Sequence, residues 1–138
     1  MAGYSGTPLP KKLGIKDGHD VAFVAAPAGF RETLGELPDG VRVKSRATGP
    51  LDVIVLFVTR RAELERRFER LHAAMDPAAG FWVAWPKRAS GVETDMTEDV
   101  AREIALAHGL VDNKVCAIDE TWSGLRLVYR LRDRPKPP

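Results

Sequence analysis

The stretch "VIVLFVTRRAELERRF", residues 53–68, decides the fold class of this chain of 138 residues. Its first six residues are all apolar, which is typical of a strand covered on both faces. From Arg61 onward the apolar residues recur with the spacing of a helix, at Leu64, Phe68, Leu71 and Met75. A buried strand followed directly by an amphipathic helix predicts an α/β domain with a mainly parallel sheet.

Further strands are predicted on both sides of this unit, at residues 21–26, 41–46, 81–85, 114–118 and 125–131. The strand at 41–46, "VRVKSR", alternates in polarity, so we expect it at an edge of the sheet. Whether it pairs with the strand at 53–58 stays open, because the connection is too short for a parallel crossover. The last two strands are also joined by few residues and should form an antiparallel hairpin.

Two further helices complete the expected fold. One is short, at residues 30–37, and the other begins near Asp95 and ends by Gly109. Asp95 and Glu98 have the spacing of a capping box. The predicted fold class is a three-layer Rossmann-like α/β sandwich, with a mainly parallel sheet of about six strands and an antiparallel C-terminal hairpin.

The length suits a single domain with one hydrophobic core. We expect a domain at residues 17–131, preceded by an arm at 1–16 packed on the domain and followed by a basic, proline-rich tail at 132–138. No apolar run could span a membrane, no signal-peptide core is visible, and Cys116 is the only cysteine. These features predict a cytoplasmic protein. The formal net charge of +2 makes a nucleic-acid partner unlikely on charge alone.

Ligands of open α/β sheets bind beyond the carboxyl ends of the strands. If strands one, three, four and five run parallel, the segments that follow them share one rim. The predicted contacts of a small anionic or nucleotide-like ligand at that rim are Arg60, Lys87, Arg88, Ser90 and Trp122. Solvated loop residues are the alternative interpretation of Lys87 and Arg88, and packing over the sheet end is the alternative for Trp122.

The predicted helix after strand three also begins with cations. Arg60 and Arg61 oppose the helix macrodipole there, and an anion bound at the helix amino terminus would remove that conflict. Exposure to water and salt would remove it as well.

Motifs for common catalytic chemistries are missing. The segment "AAPAGF" after strand one lacks the glycine triplet of a dinucleotide fold, and no phosphate-binding P-loop occurs. The three histidines have no metal-like spacing with one another or with Cys116. No metal and no cofactor is therefore predicted. Asp119 or Glu120 as a base, with Lys87 as an electrostatic stabiliser, is the catalytic alternative.

Three segments carry a resemblance to a known group of proteins: "GYSGTPLPKKLGI" at the amino terminus, "WPK" at residues 85–87, and "VDNKVCAIDETWSGL" at residues 111–125. Together they resemble a bacterial family catalogued only as a domain of unknown function, over nearly the whole chain. The order of elements is also similar to a shortened methyltransferase-type Rossmann fold. That resemblance implies a glycine-rich adenosylmethionine loop after strand one, where this chain has Pro27 and Ala28.

The leading hypothesis from the sequence is a non-catalytic, regulatory module that binds a small anionic ligand or a protein partner. The first alternative is a small enzyme that uses Asp119 or Glu120. The second is an interaction scaffold whose arm, from Tyr4 to Lys12, docks on another protein or on a second copy of the chain.

Overall fold

The structure is a computed structural model that describes residues 6–134. Its regular elements, in chain order, are α1 (Leu9–Lys12), β1 (Asp20–Val24), α2 (Phe30–Leu34), β2 (Arg42–Val43), β3 (Leu51–Phe57), α3 (Arg61–Ala73), β4 (Met75–Pro86), α4 (Glu98–Ala107), β5 (Leu110–Ala117) and β6 (Trp122–Tyr129). Short 3-10 turns follow β4 at Arg88–Ser90 and β6 at Leu131–Asp133. Residues 1–5 of the predicted arm and residues 135–138 of the predicted tail lie outside the described residues.

All six strands form one sheet, in the order β2-β1-β3-β4-β6-β5. The neighbouring pairs from β2 to β4 are parallel. β6 runs antiparallel to β4, and β5 runs antiparallel to β6, so β5 points in the same direction as β4. The predicted fold class is confirmed, including the antiparallel C-terminal hairpin. β1, β3, β4 and β5 end at one side of the sheet, which we call the carboxyl edge.

Helices cover both faces of the sheet because the central strands are apolar throughout. On one face, α3 and α4 bury Leu64, Phe68 and Ile104 against β3 and β4. On the other face, α1 and α2 cover a second cluster that contains Leu13 and Phe30. The resulting three layers are the arrangement that an α/β sandwich requires.

The segment before β1 is held to the sheet by a specific contact. The buried Trp82 side chain donates a hydrogen bond from its indole Nε1 to the Leu13 carbonyl, at 3.0 Å. Leu9, Leu13 and Ile15 are buried against the domain. These apolar residues are already used in packing, so they are not available to dock on a partner. Tyr4, which the scaffold hypothesis also used, lies outside the described residues.

Several strands differ in extent from the prediction, and β2 and β4 are the clearest cases. β2 lies at an edge as expected but has only two residues, and it pairs with β1 and not with β3. β4 begins at Met75, six residues before the predicted start. The register of β4 with β3 jumps from Leu51↔Met75 to Val53↔Gly80, so the residues between form a bulge. Asp76 and Pro77 therefore lie in a bulge inside a strand that is longer than predicted.

The predicted capping box of the last helix is wrong. α4 begins at Glu98, and its N-cap is Thr97, whose Oγ1 accepts a hydrogen bond from the Val100 amide at 3.1 Å. Asp95 instead accepts the Arg61 amide at 2.7 Å, at the start of α3. β6 begins at Trp122, three residues before the strand predicted at 125–131.

Removal of the Thr97 hydroxyl should destabilise the domain. Thr97→Ala leaves the Val100 amide without its acceptor, and loss of an N-cap costs about 1 kcal/mol. Urea unfolding should show a lower midpoint with an unchanged m-value, whereas Thr97→Ser should remain close to the parent. Equal midpoints for the alanine and serine variants would contradict this assignment of the N-cap.

Candidate functional site

The carboxyl edge contains the topological switch point of the sheet. From β1 the chain moves outward to β2, whereas β3 and β4 lie on the opposite side of β1. Open α/β sheets bind their ligands at the switch point, which here lies between the ends of β1 and β3. We call this place the switch-point crevice, and residues 25–29 and 58–60 are the segments that follow the two strands.

Residues 25–29 present backbone donors and little side chain to the crevice. Ala25 has a φ of 58°, in the left-handed region that usually holds glycine, and Gly29 has a φ of 83°. The amides of Ala26, Ala28 and Gly29 donate no hydrogen bond to any residue in the described range 6–134. All three residues are exposed. The loop therefore offers free amide donors in a segment whose side chains are small, apart from Pro27.

Several of the rim residues predicted from the sequence already have protein partners. Lys87 Nζ donates to the Asp119 carbonyl at 2.6 Å, and Ser90 Oγ donates to the Lys87 carbonyl at 2.7 Å. Arg60 pairs with Glu93 at 3.2 Å. Arg88 is exposed, and its side chain forms no hydrogen bond or salt bridge within residues 6–134. The structure thus brings Lys87, Ser90 and Asp119 together.

Asp119 organises the turn between β5 and β6. Its Oδ1 accepts hydrogen bonds from the amides of Thr121 and Trp122, both at 2.8 Å. Glu120 is exposed beside it. The ring of Trp122 lies edge-on to Phe57, with centroids 5.1 Å apart, in a row of packed rings. These contacts describe a structural turn, and a role of these residues in catalysis or ligand binding stays a prediction.

The amino terminus of α3 is occupied by a carboxylate of the chain itself. Asp95 accepts the Arg61 amide there, and Thr94 Oγ1 donates to the Thr59 carbonyl at 2.6 Å. The conflict between Arg61 and the helix macrodipole is thus relieved internally, without a bound anion. Sequence reasoning missed this because Asp95 was assigned to the start of α4.

Sequence reasoning also missed a basic groove beside the crevice. It is a cavity of about 650 Å³ between β1, the segment after β2, and α3. Five cationic side chains line it: Lys44, Arg46, Arg66, Arg67 and Arg70. Of the cations of α3 and its start, only Arg60 and Arg61 were considered from the sequence in connection with an anion, and "VKSR" was predicted as part of a strand. Arginines at positions 66, 67 and 70 of one helix were the signal that could have revealed it.

Residues 6–134 contain no group of three or more metal-ligating side chains placed to hold a metal ion. The same part of the chain has no helix that is long and apolar enough to span a membrane. Burial raises the pKa of the Cys116 thiol, which reduces its reactivity. The cytoplasmic location stays a prediction.

The solved structures most useful for comparison are methyltransferases. A SAM-dependent methyltransferase from Aquifex aeolicus matches with a TM-score of 0.60 at 19% identity, over 85% of this chain and 85% of its own. A second match is the magnesium protoporphyrin IX methyltransferase ChlM from Synechocystis PCC 6803 with bound SAM. Its TM-score is 0.60 at 10% identity, over 88% of this chain and 74% of its own. The DhpI complex with SAH matches with a TM-score of 0.60 at 13% identity, over 91% of this chain and 83% of its own.

The chain has the methyltransferase-type Rossmann fold. At these identities the likeness concerns the fold alone. No protein-family model and no curated protein sequence matches the chain. The resemblance to a bacterial domain of unknown function therefore stays a prediction.

The structural comparison corrects the functional prediction. The expectation of a non-catalytic module, and with it the leaning against an enzyme, is contradicted by these matches, because the matching structures include SAM-dependent methyltransferases. The sequence pointed away from them because it lacks the glycine triplet after strand one. Residues 26, 28 and 29 of this loop nevertheless have amides without a hydrogen-bond partner in the described residues.

Removal of the Asp119 carboxylate should destabilise the β5–β6 turn. Asp119→Ala leaves two part-buried amides without an acceptor, and we expect a loss of about 1–3 kcal/mol in the free energy of unfolding. The neighbouring exposed Glu120→Ala should change stability by no more than about 0.5 kcal/mol. Chemical denaturation checks both values, and similar midpoints for the two variants would argue against a structural role of Asp119.

Proposed function

We propose that the chain is a SAM-dependent methyltransferase that holds S-adenosylmethionine in the switch-point crevice. The observation that supports this most is the loop at residues 25–29, with free amides and a left-handed Ala25, at the end of β1 in this fold. Backbone amides in such a loop suit the carboxylate of the donor's methionine part. Small side chains let the ligand approach the backbone closely.

The residues after β2 are proposed to bind the nucleoside part of the donor. Many nucleotide-binding α/β folds place a carboxylate there to bind the ribose hydroxyls. This chain has no carboxylate at that point and carries Ser45 between Lys44 and Arg46. The Ser45 hydroxyl would therefore bind the ribose in place of a carboxylate. The loop and Ser45 together would hold the donor.

When bound, the donor would supply an electrophilic methyl carbon. A lone pair of the acceptor would form the new bond to this carbon, and the electron pair of the broken carbon–sulfur bond would stay on sulfur. The chain's own groups bind and orient. The amides of residues 26, 28 and 29 hold a carboxylate, and Lys44 and Arg46 add positive charge beside the crevice. These cations oppose a positively charged ligand and favour a neutral one.

The rim residues predicted from the sequence are proposed as the opposite wall of this crevice. Arg88 has its guanidinium exposed and without a partner in the described residues, so it is the rim cation that a ligand can engage without breaking a contact. Arg60, Lys87, Ser90 and Trp122 already have partners and would act as a fixed wall.

Titration calorimetry with S-adenosylhomocysteine tests the proposal. We expect binding by the parent and binding about tenfold weaker or worse for Ala28→Glu, because the new carboxylate competes for the loop amides. Ala73→Glu is the matched control, since Ala73 is an exposed alanine at the far end of α3. Absence of binding by the parent, or equal affinities of the two variants, would refute the proposal.

Salt dependence provides a second readout of the same crevice. S-adenosylmethionine carries one more positive charge than S-adenosylhomocysteine. At low salt the neighbouring cations should therefore weaken binding of S-adenosylmethionine relative to S-adenosylhomocysteine. Raising the ionic strength should narrow that difference because it screens the repulsion. A ratio of affinities that does not change with salt would contradict this electrostatic account.

A further inference from the structure

The basic groove exists because one connection in the chain is short. Residues 44–50 lead from β2 to β3 without forming a helix, and they pass beside the end of α3, where the Leu51 amide donates to the Ala74 carbonyl at 2.8 Å. Within the described residues, no helix between β2 and β3 covers this face, so α3 is the helix beside this space. The groove of about 650 Å³ fills that space and reaches Ala25, at the switch-point crevice.

The charges of the groove are unbalanced. One wall carries Lys44 and Arg46, the other carries Arg66, Arg67 and Arg70, and no carboxylate lines the cavity. Within residues 6–134, Lys44, Arg46, Arg66 and Arg70 form no salt bridge. Cations on the side facing α4 differ, since Arg61 pairs with Glu103 and Arg102 pairs with Asp112. Among the described residues, the groove therefore gathers four cations without a salt bridge around one cavity.

Arg67 is the cation in the groove that most needs a partner. Its Nε is buried and makes no hydrogen bond to any part of the chain that the structure describes. Glu63 is the nearest carboxylate on its own helix, and the distance of 4.0 Å from its Oε2 to Arg67 Nε exceeds that of a hydrogen bond. An unsatisfied buried donor is costly, and a charged one more so. The side chain as a whole is 39% exposed and lines the groove, so an anion there can pair with the charged guanidinium.

We propose that the groove binds a small phosphate-bearing substrate and presents it to the switch-point crevice. Guanidinium groups bind phosphate oxygens through paired hydrogen bonds, and several arginines around one cavity are the arrangement that recognises this group. The volume lies in the range of small-molecule sites. The assignment of this ligand as the methyl acceptor rests on the proposed function, whereas the binding of phosphate does not.

A phosphate in the groove should also help to bind the methyl donor. The groove and the crevice meet at Ala25, so a phosphate that neutralises the cations reduces their repulsion of a positively charged donor. Binding free energies are reciprocal, so the donor should strengthen phosphate binding by the same factor. The two ligands are therefore expected to bind cooperatively.

Titration of the full chain with inorganic pyrophosphate tests the groove. We expect Arg67→Gln and Arg46→Gln each to weaken binding about tenfold, because each removes a charged hydrogen-bond donor. Arg130→Gln is the matched control: it removes the same charge from an exposed residue outside the groove and should change affinity less than twofold. Urea unfolding of each variant identifies any loss caused by misfolding, and Arg66→Gln replaces a variant that fails to fold.

Five outcomes decide the proposal. Weaker binding of the groove variants than of Arg130→Gln supports it, and AMP binding in preference to adenosine supports recognition of the phosphate. Equal affinities of the groove and control variants, or no pyrophosphate binding at low salt, overturn it. A single-stranded RNA that binds much more tightly than AMP, with a steep salt dependence, overturns the small-molecule assignment in favour of a nucleic acid.

The outcomes also separate this inference from the proposed function. Pyrophosphate binding without any binding of S-adenosylhomocysteine would leave the groove intact and remove the methyltransferase proposal. Binding of S-adenosylhomocysteine without pyrophosphate would do the reverse. Cooperative binding of pyrophosphate and S-adenosylmethionine would link the two sites.

Discussion

The structure depends on the need to cover the central strands on both faces. The residues of β3 from Val53 to Phe57 and those of β4 from Gly80 to Pro86 are buried on both faces of the sheet. Neither strand can face water, so the chain must place helices above and below the sheet. The contact between Trp82 and the Leu13 carbonyl shows how far this requirement extends, since a segment at the amino terminus supplies part of the second layer.

The fold could be predicted because its signals are local and strong. Continuous apolar runs identify doubly covered strands, and the helical spacing from Leu64 to Phe68 identifies α3. The boundaries were harder to predict, because tertiary contacts determine them. Asp95 is a suitable N-cap by type and spacing, but the fold places it against the Arg61 amide, and Thr97 caps α4.

The candidate site could be predicted only in part. The common direction of four strands correctly brings Lys87 and Asp119 to one edge, since Lys87 Nζ reaches the Asp119 carbonyl. What each residue does there was not readable from its type, because the partners of Lys87 and Arg60 come from distant segments. The basic groove was hidden for the same reason, as Lys44 and Arg67 meet only when the connection after β2 folds beside α3.

The seven residues that join β2 to β3 have a consequence for how such a domain can vary. Their ends are fixed by the sheet and by the Ala74 carbonyl, but the segment itself runs over the surface. Insertions are tolerated best in surface connections of this kind. A longer connection that formed a helix would cover the arginines without altering the strand order. The length of this one connection therefore determines whether this face of such a domain is open or covered.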